Sequence, residues 1–272
     1  MQESPPRPAG RPASTGTGRP PEIEFLGLVF QAEKTRAAAR HIAARALDSS
    51  TFWYVVTPNV DHMVRLSRDE TLRGLYTEAD LTLNDSRILE LLASLEGIDL
   101  PASPGADIVQ TLFEREVDPD EPIVVIGCTA SEITALKARF GLSDIRWHDP
   151  PMGLRSKPEA VKAAAEFMAR NPARFHFLCV GSPQQEMVAK AAKALGTVQG
   201  AGLCCGASLD FLTGRTKRAP EWMRNFRLEW LHRLTSEPQR MVKRYLIDGP
   251  KIFGIWRKDR KKRKAAAAGA AR

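Results

Sequence analysis

The sequence has few of the features that would assign it to several common classes of protein. Its 272 residues include only four cysteines, Cys128, Cys179, Cys204 and Cys205, and no two of them form a C-x-x-C pair. All four lie in or beside apolar runs, which predicts reduced, buried thiols in a cytosolic protein. No apolar run approaches the ~20 residues of a membrane-spanning helix, and the polar, proline-rich N-terminus does not resemble a signal peptide. We therefore expect a protein that is soluble or held at a membrane surface without crossing it.

Motifs for cofactors and metals are also missing. The clearest parallel-strand pattern, Ile123 to Gly127, is not followed by G-x-G-x-x-G, so a dinucleotide-dependent oxidoreductase loses its main support. There is no G-x-x-x-x-G-K-[ST] and no G-x-S-x-G, and the five histidines lack metal-ligand spacing. One D-x-D occurs, at Asp118-Pro119-Asp120, but it precedes a strand and Pro119 favours a surface turn. We expect no cofactor and no metal.

The charge of the chain is unevenly distributed. The net charge is +8, and residues 257–264 alone carry seven bases against one acid. Upstream of this run, residues 221–256 mix tryptophan, phenylalanine and leucine with arginine at helical spacing. Such a segment can bind RNA, lie on an anionic membrane or simply pack on the domain as an amphipathic helix. The residue pattern leaves these three interpretations open.

Between the termini, short apolar runs alternate with helical patterns. This alternation predicts an α/β fold, with a Rossmann-like open, mainly parallel sheet, helices on both faces, and a C-terminal helical appendage. The hydrophobic content of 43% is ordinary for such a globular protein. The predicted organisation is a disordered N-terminal extension (1–21), an α/β domain (22–220), a helical appendage (221–256) and a basic, alanine-rich disordered tail (257–272).

Polar side chains follow two of the predicted strands. Thr57 and Asn59 come just after one apolar run, and Asp85 follows the next. In an open α/β sheet the carboxyl ends of the strands form the edge at which ligands bind. Asp85 at that edge can serve as a general base. It can equally be the N-cap of the following helix, and local sequence favours the cap.

Two further strand ends lie between Phe175 and Arg218. The first runs into Gly181–Glu186 (GSPQQE), where Ser182 is the predicted N-cap, Pro183 the first helical residue, and Gln185 and Glu186 part of the first turn. The second, Gly200 to Gly206, ends in small residues and leads to Asp210. Backbone N–H groups at a helix start can hold a phosphate or a sugar hydroxyl. Spacing alone favours ordinary strand–helix turns, whereas two such loops side by side would make a ligand crevice.

These segments, taken in order, resemble the WecG/TagA/CpsF glycosyltransferases, glycosyltransferase family 26. The resemblance runs from about Ile23 to about Tyr245 and leaves both terminal extensions outside. It is most specific at GSPQQE, GASLDFLTGRTKRAPEWM (206–223) and LEWLHRLTSEPQRMVKRY (228–245). It also covers TPN (57–59), the Asp85 region, GADIV (105–109) and PPMG (150–153).

The resemblance implies an inverting, metal-independent hexosyltransferase that makes bacterial cell-surface polysaccharide. The implied donor is a UDP-sugar and the implied acceptor a polyprenyl-diphosphate-linked saccharide at the inner face of the cell membrane. The implied partners therefore include an anionic membrane surface but no nucleic acid, and a homo-oligomer is left open. The implied catalytic residues are Asp85, Thr57 and Asn59. The expected substrate-binding residues are Gly127, Gly181, Ser182, Pro183, Gln185, Glu186, Gly206, Asp210, Arg215, Arg218, Arg233, Arg240 and Arg244.

One position departs from the family pattern. The family usually has glycine directly after the catalytic aspartate, whereas this chain has Ser86 and then Arg87. Glycine permits a positive φ and close ligand approach, so we expect a donor or acceptor sugar that differs from those of better-known members. An alternative from another class is a nucleotide-responsive RNA-binding protein that uses the basic C-terminal tail.

Overall fold

The computed structural model describes residues 20–215, 242 and 247–270, with side chains up to residue 265. The fold begins with an antiparallel hairpin of β1 (Glu22–Phe25) and β2 (Leu28–Gln31). Its two-residue turn has φ of 54° at Leu26 and 77° at Gly27, the positive values that a tight hairpin requires. The sequence left open whether this segment is one strand or a pair, and the structure shows a pair.

The centre of the molecule is a six-stranded sheet in the order β4-β3-β8-β7-β5-β6, with every neighbouring pair parallel. This architecture confirms the predicted open parallel sheet. The strands are β3 (Phe52–Val56), β4 (Leu81–Thr82), β5 (Ile123–Ile126), β6 (Ile145–His148), β7 (Phe175–Leu178) and β8 (Gly200–Cys204).

Helices cover both faces of this sheet, as predicted. Successive side chains of a strand point to opposite faces, so Phe52, Tyr54 and Val56 join one buried core, whereas Trp53 and Val55 join the other. The helices are α1 (Thr35–Asp48), α2 (Val60–Leu66), α3 (Arg73–Thr77), α4 (Arg87–Ser94), α5 (Gly105–Arg115), α6 (Ala130–Phe140), α7 (Pro158–Arg170), α8 (Gln184–Leu195), α9 (Ser208–Leu212) and α10 (Lys251–Ala270). Short 3₁₀ turns lie at Glu70–Leu72 and Leu154–Ser156.

The C-terminal end of the chain differs from the sequence-based expectation. Residues 257–270 were predicted to belong to a disordered tail, but they continue the 20-residue helix α10. Lysine, arginine and alanine are all good helix formers, and the first turn is anchored because Ile252 is only 1% exposed in the core. The polar composition therefore hid a helix that tertiary contacts hold in place.

Several predicted segments lie outside the described residues. These are the N-terminal extension up to residue 19 and most of the 221–256 appendage. Within the part of the chain that the structure describes, no helix is both long and apolar enough to span a bilayer.

Candidate active site

A cleft of about 1740 Å³ opens at the carboxyl edge of the sheet. The loops that follow β3, β4, β5, β7 and β8 all contribute to its lining. Two predicted site residues, Pro183 and Glu186, are buried and do not line the cleft. Four predicted arginines lie outside the described residues: Arg218, Arg233, Arg240 and Arg244. The cleft brings together ten predicted site residues: Thr57, Asn59, Asp85, Gly127, Gly181, Ser182, Gln185, Gly206, Asp210 and Arg215.

Asp85 lies in the loop between β4 and α4, and this loop is anchored on both sides. The Asp85 backbone N–H donates to the carbonyl of Pro58 at 3.1 Å. Asn84, 1% exposed, accepts from the Ser86 N–H at 3.0 Å and donates its amide to the Leu100 carbonyl at 3.4 Å. Sequence reasoning missed Asn84, although a buried amide next to a candidate base is a typical anchor.

The cap of α4 is Ser86, whose hydroxyl accepts from the Leu89 N–H at 3.2 Å. The interpretation of Asp85 as an N-cap, which local sequence favoured, is therefore wrong. Adjacent Asp and Ser are both good caps, so only the backbone conformation decides between them. The Asp85 side chain lines the cleft instead.

Thr57 is packed against the start of α5. A Cβ added to Gly105 would lie 2.7 Å from the Thr57 hydroxyl oxygen, so only glycine allows this close approach. The contact brings the first turns of α5 into the cleft wall, where Asp107 and Gln110 join the lining. Sequence reasoning missed Asp107 and Gln110, although the GADIV segment pointed to this helix start.

Asn59 has a structural function in addition to lining the cleft. Its side-chain oxygen accepts from the N–H groups of Asp61 at 3.1 Å and His62 at 3.4 Å. The His62 Nδ1 accepts in return from the Asn59 N–H at 3.0 Å, which completes a capping box at the start of α2. Asn59 therefore fixes the helix that follows β3.

The loop after β7 is held from behind by α2 and α3. The Ser182 and Tyr76 hydroxyls are 2.9 Å apart, and Arg65 donates to the Ser182 carbonyl at 3.1 Å. Arg65 also pairs with Asp61 at 3.3 Å and lines the cleft, a basic residue that sequence reasoning missed. Ser182 was predicted to cap α8, but the helix begins at Gln184 with Pro183 at the cap position and no side-chain cap bond. The Ser182 hydroxyl is instead directed to Tyr76.

Gln185 and Glu186 lie in the first turn of α8 and are 5% and 1% exposed. The Gln185 oxygen accepts from the Gly206 N–H at 2.8 Å, and its amide donates to a Glu186 oxygen at 2.9 Å. Gly127 is similarly engaged, because its N–H donates to the His148 carbonyl and its carbonyl accepts from the Trp147 indole, both at 2.8 Å. The N–H groups of Gly127 and Gly206, expected to contact a ligand, are thus used within the protein.

Arg215 enters the cleft from the end of the α9 segment. It pairs with Glu132 at 3.0 Å, and the other Glu132 oxygen accepts from both the N–H and the hydroxyl of Thr129 at 2.7 Å. Burial acts to raise the pKa of Glu132, but the hydrogen bonds from Thr129 and Arg215 outweigh it and hold the pKa below its usual value. A charged carboxylate therefore fixes Arg215 beside Asp210 at the rim.

A model of the family described as glycosyl transferase WecG/TagA/CpsF matches residues 23–266. The chain belongs to this family. It is a glycosyltransferase of cell-surface polysaccharide synthesis, which favours that interpretation over the RNA-binding alternative. The match extends beyond Tyr245, where the resemblance was expected to end, so most of α10 belongs to the family region.

Four thiols lie along the floor of this glycosyltransferase cleft. Cys204 and Cys205 are buried as predicted, whereas Cys128 and Cys179 are partly exposed. All four are free, and the sulfurs of Cys179 and Cys205 are 3.4 Å apart. Burial raises the pKa of Cys179 and of Cys204, which keeps these two groups in the protonated, poorly nucleophilic form.

The D-x-D of the glycosyltransferase lies at the amino end of β5, at the opposite edge of the sheet from the cleft. The Asp118 side chain accepts from the Asp120 N–H at 3.0 Å, and Glu121 accepts from the Asp118 N–H at 2.9 Å. These bonds confirm the predicted surface turn. The motif therefore takes no part in the cleft.

Proposed function

We propose that this glycosyltransferase moves a hexose from a UDP-sugar to a polyprenyl-diphosphate-linked saccharide, with inversion and without a metal ion. One observation carries the proposal: Asp85 and the start of α8 line the same cleft. A carboxylate base and a helix N-terminus that can receive a diphosphate are the two parts that such a transfer needs.

In the proposed reaction Asp85 is the general base. It removes the proton from an acceptor hydroxyl as that oxygen attacks the anomeric carbon of the donor. The bond from the anomeric carbon to the diphosphate oxygen breaks, and UDP leaves with the electron pair. Attack from the face opposite the departing UDP inverts the anomeric centre. Thr57, packed on the start of α5, would orient the reacting sugar beside Asp85.

The departing UDP requires positive charge and hydrogen-bond donors. The first turn of α8 lines the cleft through Gln184 and Gln185, and this helix N-terminus would receive the diphosphate. Arg65 and Arg215, each fixed by a carboxylate, would offset the growing negative charge. We propose further donors at Arg218 and, from the appendage, at Arg233, Arg240 and Arg244. Together these cations would take the place of a metal.

The decisive experiment replaces Asp85 with asparagine, which keeps the size and removes the base. We expect kcat for the lipid-linked acceptor to fall by about 10²- to 10⁴-fold, the usual contribution of a general base, with UDP affinity retained. The matched control is Asp120→Asn in the D-x-D turn, which should leave turnover unchanged in metal-free buffer. Near-wild-type turnover of Asp85→Asn would rule out the assignment.

A further inference from the structure

Gln185 and Glu186 occupy positions where a motif would be expected to contact substrate, yet both side chains are almost completely buried. Gln185 is 5% exposed and Glu186 1% exposed. Both directly follow the loop after β7 (residues 179–183, the β7 loop) in the first turn of α8, and Gln185 contacts the loop after β8 (residues 205–207, the β8 loop). Side chains this deeply buried act mainly on their neighbours within the protein.

The Gln185 amide joins the two loops. Its oxygen accepts from the N–H of Gly206 in the β8 loop at 2.8 Å, while its nitrogen donates to Glu186 at 2.9 Å. An amide carries an acceptor at one end and a donor at the other. Only one orientation satisfies both contacts, because Gly206 offers an N–H and Glu186 offers an oxygen. Glu186 therefore holds the amide with its acceptor directed at Gly206.

The Gln185 amide acts on the Glu186 carboxylate together with the Ser182 hydroxyl and the backbone N–H of Glu186, and each of these bonds favours the charged form. The second carboxyl oxygen of Glu186 is fully buried, with no hydrogen-bond partner in the part of the chain that the structure describes. Burial raises the pKa of Glu186, against the opposing influence of the Gln185 amide. Keeping a carboxyl group in the interior is costly, and the hydrogen bond from the Gln185 amide is the largest influence that opposes this cost.

The β7 loop is fixed on its other side by α2 and α3. Tyr76 contacts the Ser182 hydroxyl at 2.9 Å, and Arg65 donates to the Ser182 carbonyl at 3.1 Å. Gly181 and Gly206, with φ of 75° and 51°, line the cleft on the two loops. The Gln185 bridge is thus a direct hydrogen bond from the start of α8 to the β8 loop, beside the contact of Cys179 with Cys205.

We propose that Gln185 and Glu186 are positioning residues that act as one unit and fix the β8 loop relative to the start of α8. Their effect on catalysis is indirect, through the spacing of the loops that receive the donor diphosphate. This inference rests on the proposed function for the identity of that donor. The bridge itself can be observed without any ligand.

The test combines donor affinity with amide exchange. Gln185→Met removes the bridge, and Glu186→Leu removes the group that orients it. Both variants should weaken UDP binding about tenfold, the effect of losing one buried hydrogen bond, with kcat at saturating donor little changed. Because the two residues form one unit, the double variant should bind UDP as tightly as the single variant with the lower UDP affinity. Glu186→Gln, which keeps an acceptor for the Gln185 amide, should restore affinity close to that of wild type.

Hydrogen exchange distinguishes this positioning function from direct ligand binding, because losing a direct ligand contact would not change amide exchange in the absence of UDP. In the absence of UDP, Gln185→Met and Glu186→Leu should each accelerate exchange of the Gly206 amide at least tenfold. Gln199→Met, at an exposed glutamine, is the matched control and should change nothing. If Glu186→Leu does not fold, Gln185→Met alone tests the same expectation of faster Gly206 exchange and weaker UDP binding.

Two outcomes would overturn the proposal. One is additive losses of UDP affinity with unchanged Gly206 exchange, which would make Gln185 a direct ligand. The other is faster Gly206 exchange with unchanged UDP affinity, which would leave the bridge without effect on the cleft. If wild-type protein does not bind UDP, the proposed function fails, while the exchange comparison alone still decides whether the bridge exists.

Discussion

At the residue scale, His176 is a buried titratable group on the central strand β7. It is fully buried, and its Nε2 lies 2.9 Å from the Gln199 carbonyl. Burial lowers the pKa of His176 from 6.5 to about 4, against the opposing effect of the carbonyl. The folded protein therefore holds this imidazole neutral over most of the acid range.

This burial predicts an acid-dependent loss of stability. Below pH 6.5 the unfolded chain binds a proton at His176 that the native state excludes, so the free energy of unfolding falls until the folded group also titrates near pH 4. A shift of this size corresponds to roughly 3 kcal/mol. Urea denaturation of wild type and His176→Phe between pH 7 and pH 4 measures it. The variant should show a shallower decline, and equal slopes would contradict the prediction.

Single positions also show what the sequence could not settle. Asp85 and Ser86 are both good helix caps, and only the backbone of a loop anchored by Asn84 assigns the cap to Ser86. Gln185 and Glu186 are recognisable as a motif, but the Gln185 side chain contacts Gly206, which is 21 residues distant in the chain. Such contacts depend on the order of the strands in the sheet, and local patterns do not encode it.

At the element scale, α10 docks on the α/β domain around one carboxylate. Glu96, whose side chain is 9% exposed, accepts from the Trp256 indole at 2.5 Å and from Arg263 at 2.9 Å. Asp259 extends the contact, since it accepts from the Leu26 N–H at 3.3 Å and from Arg263 at 2.8 Å. Helix α10 is therefore part of the folded domain.

Removing this carboxylate should loosen the helix. Glu96→Gln loses the charge that faces Arg263, and hydrogen bonds to charged groups contribute about 1.5–3 kcal/mol. We expect a comparable fall in the free energy of unfolding and faster amide exchange along α10. The control is Glu166→Gln, because its partners Lys162 and Arg170 form exposed pairs on α7 worth well under 1 kcal/mol. Equal exchange in both variants would show that Glu96 does not hold the helix.

The elements differ in how far the sequence predicted them. The apolar runs of β3, β5, β7 and β8 identified strands, because central parallel strands are buried on both faces. Residues 257–270 of helix α10 were missed, since their exposed lysines gave the segment a disordered composition. The anchors of the helix, Ile252 and Trp256, were visible as an apolar cluster, but their docking site around Glu96 lies 160 residues away from Trp256 in the chain.

At the scale of the whole molecule, helix α10 has one side that packs on the domain and another side that is exposed and basic. Ile252, Trp256 and Arg263 face the domain. Phe253, 48% exposed, lines the cleft at the start of the helix. The exposed basic residues are Arg257, Lys258, Lys261, Lys262 and Lys264. The charge excess of the chain is thus presented, in part, on a fixed surface that begins next to the proposed active site.

We propose that this basic side holds the enzyme at the inner face of the cell membrane, where a polyprenyl-linked acceptor would be located. Each lysine or arginine near an anionic surface contributes about 1 kcal/mol of binding. Reversing Lys258, Lys261 and Lys262 to glutamate should therefore weaken binding to anionic vesicles by at least about 100-fold. Vesicle sedimentation at several salt concentrations measures this, and the variant should also depend less on salt.

The control for this experiment distinguishes vesicle binding through the α10 surface from an effect of the overall net charge. Arg36, Arg40 and Lys162 are exposed residues on α1 and α7, and reversing all three changes the net charge by the same amount. Because these side chains belong to other helices, this variant should retain most of the vesicle binding. Equal losses in both variants would mean that overall charge, not the α10 face, attracts the protein. No loss in the α10 variant would exclude this helix as the membrane-facing surface.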